Sequence, residues 1–547
     1  MNSVSLLIYI FYFHVDFIDT HIFTSISKLQ RLAQVEKEML KSLEIYIQDS
    51  ENSGNVISEN VQNFYKEVSQ ASTLTVQEHF MENPINAFHF IRRMHDGWPN
   101  MIRTIDCDHC KLTDPLRDFR DRLSDIDDNS LIGIETTAED LQWAALANVR
   151  LWQTYKLNLT SFFNGQILNT TTNPLTWDDI FYICNQLDYT NEFYKEIVWL
   201  EEVLTLIINN VSYNKYRTRV TRQLASAYFK YGMPWKSVDL MEKEIRQANL
   251  DDQKKLKRDL AFYNSKEKVV SDKSKELKPS TSDIDKSHYE ALCRGHVTRS
   301  TEILSRLHCI YRTPVPIYRV KEEILNYDPR ISLFREVITH EEIDGIKDIA
   351  TNMLKASIIV GDTERRNRKD YSARVSQTAW LRDEYSELVR HISYRIELIT
   401  GLSTRQYRSF SHAEYLQVLN YGVGGMYEGH LDYLGIPIHI NPLRHEDPTE
   451  LRGTGDRIST WMFYLNDVTA GGATVFLNLN ITVNVEKGAA LFWYNIKRNG
   501  DLDNRTQHAG CPVLIGSKWV ANKWIRQHGQ IFRRKCGMKL NSKDIPL

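Results

Sequence analysis

Three side chains in the last quarter of the chain could hold a metal ion. In the run Asn420-Tyr421-Gly-Val-Gly-Gly-Met-Tyr-Glu-Gly-His430-Leu-Asp432, a histidine and an aspartate stand two residues apart. On an extended segment that spacing turns both toward one ion while the intervening residue faces away. The spacing alone is common: His14-Val-Asp16 and His445-Glu-Asp447 share it. What sets His430 apart is a second segment, Gln507-His508-Ala-Gly-Cys-Pro-Val-Leu-Ile-Gly-Ser-Lys518-Trp-Val-Ala-Asn-Lys-Trp524, which reads as two apolar strands joined by a Gly-Ser turn. Two such strands can bring His508 as a third ligand and Lys518 as a cation into one barrel. Two neutral imidazoles and one carboxylate on one face leave three adjacent octahedral positions open, the arrangement used by non-haem Fe(II) oxygenases. A bidentate co-substrate takes two positions and dioxygen the third. An ammonium deep in the barrel neutralises the far carboxylate of a dicarboxylate co-substrate, and Lys518 is placed for it. A zinc hydrolase using the same three ligands would leave Lys518 and Gly471-Gly-Ala-Thr-Val-Phe476 without a role.

The elements that must position these residues are β-rich. Beyond about residue 290, Arg330 to Val337 reads as a strand and Thr339-His-Glu-Glu342 opens a helix. Short strands then follow at Tyr415 to Tyr421, Arg457 to Leu465, Ala473 to Phe476, Ala489 to Trp493, Cys511 to Ile515 and Trp519 to Trp524. Separated by Gly-containing turns, they suggest a sandwich or barrel. The first half is helical. Ile22, Ile26, Leu29, Ala33, Leu40, Leu43 and Ile47 alternate in steps of four and three, broken only by Glu36, which is a heptad seam of nearly four repeats. It fits one helix of an intramolecular bundle and a coiled-coil dimer equally well. Helical patterns continue through Ala87 to Met94 and Glu139 to Leu157, and then, after a capping-box pattern at Thr176-Trp-Asp-Asp179, across 177–188, 190–208, 214–231 and 234–247. Short helices at this spacing are similar to tetratricopeptide-type pairs, whose stacking leaves a groove for an extended peptide; an ordinary bundle is the plainer alternative. Tyr182, Tyr189, Phe193, Tyr194, Trp199, Tyr228, Phe229 and Tyr231 could line such a groove or form the core. Residues 264–288 are rich in Lys, Glu, Asp and Ser and read as a charged linker. The run Arg365-Arg366-Asn367-Arg368-Lys369 reads as solvated loop surface.

At 547 residues the chain should hold about three or four domains of ~100–200 residues each. A formal net charge of −2 supplies no basic surplus for nucleic acid and no broad cationic face for membranes. Residues 5–13 form an apolar run of signal-peptide length, so residues 1–20 are expected to direct secretory entry, with a buried N-terminal element as the alternative. No later segment is long and apolar enough for a membrane span. Sequons at Asn158, Asn169, Asn210, Asn480 and Asn504 agree with lumenal passage. Seven cysteines are too few for a disulfide scaffold, but an oxidising lumen would let some pair. Cys107-Asp-His-Cys110 has no second ligand pair at zinc-finger spacing, so a local disulfide or two thiols is the reading there.

Together these motifs resemble the catalytic α subunit of collagen prolyl 4-hydroxylase. The resemblance covers nearly the whole mature chain: FTSISKLQ, VEKEMLKSL, NPINAFHFIRRM, the Ala145 to Tyr155 helix, EALCRG, NYGVGGMYEGHLDY, GTGDRIST, GGATVF, FWYN and HAGCPVLIGSKWVANKWI, of which the last five are specific. It implies a dioxygenase dependent on Fe(II), 2-oxoglutarate, O2 and ascorbate, hydroxylating proline at C4 in X-Pro-Gly sequences. Substrate oxidation would be coupled to decarboxylation of 2-oxoglutarate to succinate and carbon dioxide. By the same resemblance, His430, Asp432 and His508 would be the iron ligands, Lys518 the 2-oxoglutarate partner and Tyr421 a neighbouring co-substrate contact. Trp493 and Trp524 are candidate walls of that pocket, with plain core residues as the favoured alternative. The implied fold is α+β multidomain: a helical and coiled-coil dimerisation domain over 21–160, a tetratricopeptide-like peptide-binding domain over 170–250, and a double-stranded β-helix (jelly-roll) over 290–540. The implied assembly is a heterotetramer with a homodimer of α chains and protein disulfide isomerase, acting on a proline-rich or collagen-like peptide. That partner's retention signal would hold the complex in the endoplasmic reticulum lumen, which fits an Asp-Ile-Pro-Leu547 end that is no retrieval tetrapeptide. Family disulfides map onto Cys293 with Cys309 and Cys511 with Cys536, and Cys184 onto an unpaired position. Three departures stand out. Gly429 replaces the usual proline before the first ligand, which loosens that loop. Arg526 replaces a histidine near the co-substrate end. Gln223, Ser226 and Phe229 replace groove tyrosines, which leaves room for a changed substrate with catalysis intact; a peptide-binding subunit with little turnover is the alternative.

Overall fold

Apolar seams and capping residues set the helices of the N-terminal third. The computed structural model describes residues 25–75, 79–105, 114–130, 136–267, 275–296, 299–357, 374–406, 411–434, 454–537 and 539. The leader over 1–20, Cys107 and Cys110, the Arg365–Lys369 run, both extra His-X-Asp motifs and the C-terminal tetrapeptide lie outside these residues. The chain folds as two compact units, residues 1–141 with 289–547, and residues 142–288.

In the first unit, helix α1 (Ile26–Asn52) starts at Ser25, whose side chain accepts from the Lys28 amide. It packs on α2 (Glu59–Thr75); α3 (Pro84–Arg92), α4 (Trp98–Ile105) and α5 (Asp114–Ser130) complete the bundle. The heptad positions Leu29, Ala33 and Leu43 are buried within the chain. So is Glu36, the break in the seam: Arg93 grips its carboxylate with two hydrogen bonds of 2.6 and 2.8 Å, and Trp98 Nε1 donates at 3.1 Å. An intramolecular bundle therefore takes up this part of the seam.

In the second unit, α6 (Ala138–Tyr155) leads into α7 (Trp177–Tyr189), α8 (Phe193–Asn209), α9 (Arg217–Tyr231), α10 (Pro234–Ile245) and α11 (Leu250–Glu267), each packed on the next from α7 onward. The Thr176–Asp179 capping box opens α7, and Gly232 in the left-handed region closes α9. Of the candidate groove aromatics, Trp199 and Tyr228 are core, and Phe229 packs edge-on against Phe262 and at a tilt against Tyr263. Tyr189 is exposed. Gln223 Nε2 donates to Asn185 Oδ1 and Glu196 Oε1 at 3.0 and 3.1 Å. Burial, chiefly, raises the Glu196 carboxyl to about 8.

The stretch 264–288 is not a plain linker. Helix α11 runs to Glu267, and α12 (Thr281–Cys293) carries the chain back into the first unit. Its apolar residues are few but fall at its end, where Leu292 and Cys293 pack on Ala473 and on strand residues Val475 and Ala509.

Among the described residues fifteen short strands follow: β1 (Cys309–Val315), β2 (Tyr318–Tyr327), β3 (Arg330–Arg335), β4 (Lys355–Ala356), β5 (Gln377–Leu381), β6 (Leu416–Tyr421), β7 (Tyr427–His430), β8 (Arg457–Tyr464), β9 (Ala470–Gly471), β10 (Thr474–Phe476), β11 (Ile481–Val483), β12 (Ala490–Tyr494), β13 (His508–Gly510), β14 (Val513–Ile515) and β15 (Lys518–Arg526). They form a nine-stranded sheet in the order β1-β2-β3-β12-β8-β15-β6-β5-β4, a four-stranded sheet β11-β10-β13-β7, and the pair β9-β14. Side chains alternate across the large sheet. Trp461, Phe463, Ala521 and Ile525 face α13 (His340–Thr351) and α14 (Glu387–Thr400), while Met462, Tyr464, Val520, Tyr421 and Trp493 face inward, toward Phe476 and Ile481 of the small sheet. The Gly516-Ser517 turn does not close a hairpin: β14 pairs with β9, whereas β15 pairs with β8 and β6. Gly516, at φ +109, lets the chain cross from one sheet to the other.

The disulfide expected from the family is corrected. Cys293 is bonded to Cys511, tying α12 to the segment after β13, while Cys309 and Cys536 are exposed thiols and Cys184 is a buried one. The cause is register: the end of α12 lies against β13, so Cys293 meets Cys511 at a Cα separation of 5.6 Å.

Candidate metal centre

Antiparallel pairing of β13 with β7 puts the backbones of His508 and His430 directly opposite each other, so both imidazoles stand on one face with ring centroids 4.3 Å apart. Each ring is fixed from behind. His430 Nδ1 lies 2.8 Å from the Glu428 carbonyl and His508 Nδ1 lies 3.0 Å from the Thr506 carbonyl. Carbonyls only accept, so both Nδ1 atoms carry the proton and both Nε2 lone pairs are free for a ligand. Packing does the rest: His430 stacks on Tyr427 at 3.6 Å, and Trp493 meets His508 edge-on at 4.8 Å.

Asp432 follows β7 on irregular backbone, and its carboxylate closes the cluster. Its Oδ1 is 3.6 Å from His430 Nε2 and its Oδ2 3.8 Å from His508 Nε2. Ligand atoms ~2 Å from a common ion must lie ~3–4 Å apart, so the donor set fits a divalent metal. Among the described residues this is the one group of three or more potential metal ligands that lie this close. Burial, and then the facing His508, holds His430 down to about 3, so it is a neutral ligand at physiological pH. Burial would raise Asp432, but the two imidazoles, Arg457 and the Thr460 hydroxyl outweigh it and hold the carboxyl below its ordinary range.

Lys518 opens β15 opposite Tyr421 of β6. Its ammonium is buried, donates to Thr474 Oγ1 at 3.2 Å and sits 5.9 and 5.7 Å from the Tyr421 and Tyr464 ring centroids. Thr474 and Phe476 are two residues apart on β10, and Phe476 packs on His508 at 5.7 Å, so Lys518 and the imidazoles share one interior. No carboxylate pairs with Lys518 among the described residues, and burial alone pulls its ammonium down to about 7.

Sequence reading passed over the groups that support Asp432. Thr460 and Asn495 lie inside the quoted motifs GTGDRIST and FWYN, but nothing in a hydroxyl or an amide on a strand marks it as a ligand's partner. Thr460 Oγ1 donates to Asp432 Oδ2 at 2.6 Å and accepts from Asn495 Nδ2 at 3.0 Å. Arg457 reaches the Asp432 carbonyl at 3.3 Å, lies 3.6 Å over Trp524 and pairs with Glu414. Arg526, at the far end of β15, faces the same Glu414 at 2.9 Å and donates to the Gly455 carbonyl at 2.8 Å. A Cβ at Gly429 would come within 2.7 Å of Leu477 Cδ1, the movable end of a leucine side chain.

Comparison with known proteins decides the family. Residues 25–169 match the model described as the prolyl 4-hydroxylase alpha-subunit N-terminal region, and residues 416–526 match the 2OG-Fe(II) oxygenase superfamily. The prolyl 4-hydroxylase subunit alpha-1 of Caenorhabditis elegans is 31% identical over 95% of this chain and 91% of its own. The chain belongs to the prolyl 4-hydroxylase alpha subunits. Subunit alpha-3 of Homo sapiens is 30% identical, covering 94% of this chain and 93% of its own. A solved viral collagen prolyl hydroxylase, from Paramecium Bursaria Chlorella virus-1 in complex with 2OG, covers 36% of this chain and 95% of its own at 22% identity, with a TM-score of 0.27 that is too low to bear on function. As a prolyl 4-hydroxylase alpha subunit, the chain is an Fe(II)- and 2-oxoglutarate-dependent dioxygenase with a helical N-terminal half and a sheet-rich oxygenase region. No helix among the described residues is long and apolar enough to cross a membrane.

Proposed function

We propose that the substrate is peptidyl proline in X-Pro-Gly sequences of collagen type, hydroxylated at C4 while 2-oxoglutarate is oxidatively decarboxylated to succinate and carbon dioxide. The observation that carries the co-substrate assignment is Lys518: a buried ammonium without a carboxylate partner among the described residues, in the same interior as His430, Asp432 and His508. A buried cation lacking its counter-ion is stabilised by a ligand that brings one. The far carboxylate of 2-oxoglutarate does so, with Tyr421 beside it.

His430, Asp432 and His508 hold the iron, which when bound supplies the oxygen chemistry. The protein's own part is positional. The backbone carbonyls of Glu428 and Thr506 keep the imidazoles in the ligating tautomer, and Trp493 with Phe476 shields the ligands from water. Trp524, covered by Arg457, is the second wall of the pocket.

We further read the two inward-facing sheets as a double-stranded β-helix and the successive helices of residues 170–250 as a tetratricopeptide-type peptide-binding domain. The reading extends to ascorbate as reductant, to α-chain dimerisation through the N-terminal domain in a tetramer with protein disulfide isomerase, and to the endoplasmic reticulum lumen. All five sequon asparagines are exposed, which supports glycosylation there. The test is to co-express the chain with and without protein disulfide isomerase, then measure succinate release and the proline mass shift on (Pro-Pro-Gly)n and on unrelated proline-rich peptides. Turnover of the first is expected. Turnover of the second alone would move the substrate away from collagen, and turnover of neither would leave a peptide-binding subunit. His430→Ala should abolish 2-oxoglutarate consumption with the far-UV spectrum unchanged.

A further inference from the structure

The three ligands are not held in the same way. His430 and His508 ride on paired strands, whereas Asp432 lies past the end of β7 on residues without a ladder. Side chains of other elements hold that segment instead. Asp456 Oδ1 accepts from the Leu434 amide at 2.6 Å, Tyr433 donates to Asn504 Oδ1 at 2.6 Å, and Arg457 reaches the Asp432 carbonyl. The carboxylate itself has one short partner, Thr460, whose side chain projects from the central strand β8 on the inward face.

The direction of that bond is set one step further back. A threonine hydroxyl has a single proton and can spend it on any nearby acceptor. Asn495, just beyond β12, donates its amide proton into the Thr460 oxygen, so the oxygen accepts there and its own proton goes to Asp432. Both Thr460 and Asn495 are buried.

From this geometry we propose that Thr460, oriented by Asn495, is a positioning residue that makes Asp432 a one-oxygen metal ligand. The inference rests on the reading of His430, Asp432 and His508 as the metal site. With Oδ2 committed to Thr460, Oδ1 is the oxygen left for the ion. A carboxylate swung to bind through both oxygens would fill a fourth coordination position, one of the three that the co-substrate and dioxygen need. The hydroxyl therefore protects co-substrate binding as well as metal affinity.

The test uses Co2+ as a spectroscopic probe on the purified, partner-assembled protein. Thr460→Val should weaken Co2+ binding by about 10- to 100-fold, alter the visible d–d spectrum and weaken 2-oxoglutarate binding to the Co2+-loaded protein, whereas Thr460→Ser should stay within about threefold of the parent. Asn495→Ala, which frees the hydroxyl to turn away, should shift the same spectrum in the same direction with Thr460 in place, and it keeps the proposal testable if Thr460→Val fails to fold. A Val variant with unchanged Co2+ affinity and spectrum would overturn the proposal, as would a Ser variant that loses as much as Val. His430→Ala is the separate control: if it binds Co2+ as well as the parent does, the metal-site reading itself fails.

Discussion

The ionisable group that most distinguishes this site is Lys518. Its ammonium is buried, its side-chain hydrogen bond goes to a threonine, and burial lowers it to about 7. An unfolded lysine keeps its proton to about pH 10.4. Between those values the unfolded chain binds more protons than the folded one, so Lys518's penalty on stability is full below pH 7 and fades as pH rises toward 10. Lys518→Met should therefore be more stable than the parent at pH 6 in the absence of co-substrate, with the gain shrinking by pH 9, as read from urea midpoints. Co-substrate affinity should run the other way. Binding of 2-oxoglutarate by the parent should weaken as pH climbs through 7, because the neutral amine offers no charge, while the Met variant binds weakly at every pH. A flat profile for the parent would remove Lys518 from co-substrate recognition.

At the scale of elements, two buried connections carry tests. Glu36 interrupts a heptad seam, and Arg93 and Trp98 explain it by satisfying both of its oxygens. Glu36→Leu would complete the apolar pattern yet strand the Arg93 guanidinium, at a cost of about 3–5 kcal/mol in denaturant unfolding. Stabilisation instead would mean that the seam faces another chain. The second connection joins α12 to β13 through Cys293–Cys511, reinforced by Tyr289, whose hydroxyl donates to the Gly510 carbonyl at 3.1 Å, and by Thr482, which donates to the Leu292 carbonyl at 3.0 Å. Non-reducing peptide mapping should recover a Cys293–Cys511 fragment. The double variant Cys293→Ala/Cys511→Ala should lose about 2–5 kcal/mol of stability, because the clamp behind the strand carrying His508 is gone.

For the whole molecule, the expected product of co-expression with protein disulfide isomerase is a complex whose mass, by light scattering, holds two copies of each chain; a one-to-one complex would refute dimerisation through the N-terminal domain. Much of this organisation was legible beforehand. Periodicity and capping patterns located the helices that begin at Ile26, Ala138, Trp177, Phe193, Arg217, Pro234 and His340 to within a few residues, and β-rich runs marked the strands around Tyr421, Thr460 and Trp493, while α2, α5, α11 and α14 went unread. The charged stretch 264–288 misled because helix α12 keeps its apolar residues at one end, and their value lies in a sheet more than 180 residues further along the chain.

The amino-acid sequence by itself determined which side chains could bind an ion and a dicarboxylate, since residue type fixes donor chemistry; the extended segment expected for His430 and Asp432 ends at His430, and Asp432 reaches the cluster from irregular backbone. It also determined the helical and sheet-rich halves, since hydrophobic period is a local property. Only the tertiary structure decided that His508 lies opposite His430, that Cys293 meets Cys511, and that Thr460 and Asn495 stand behind Asp432. Each of these is a meeting of strands or helices far apart in the chain, and its register is set by how two sheets pack rather than by any neighbour in sequence.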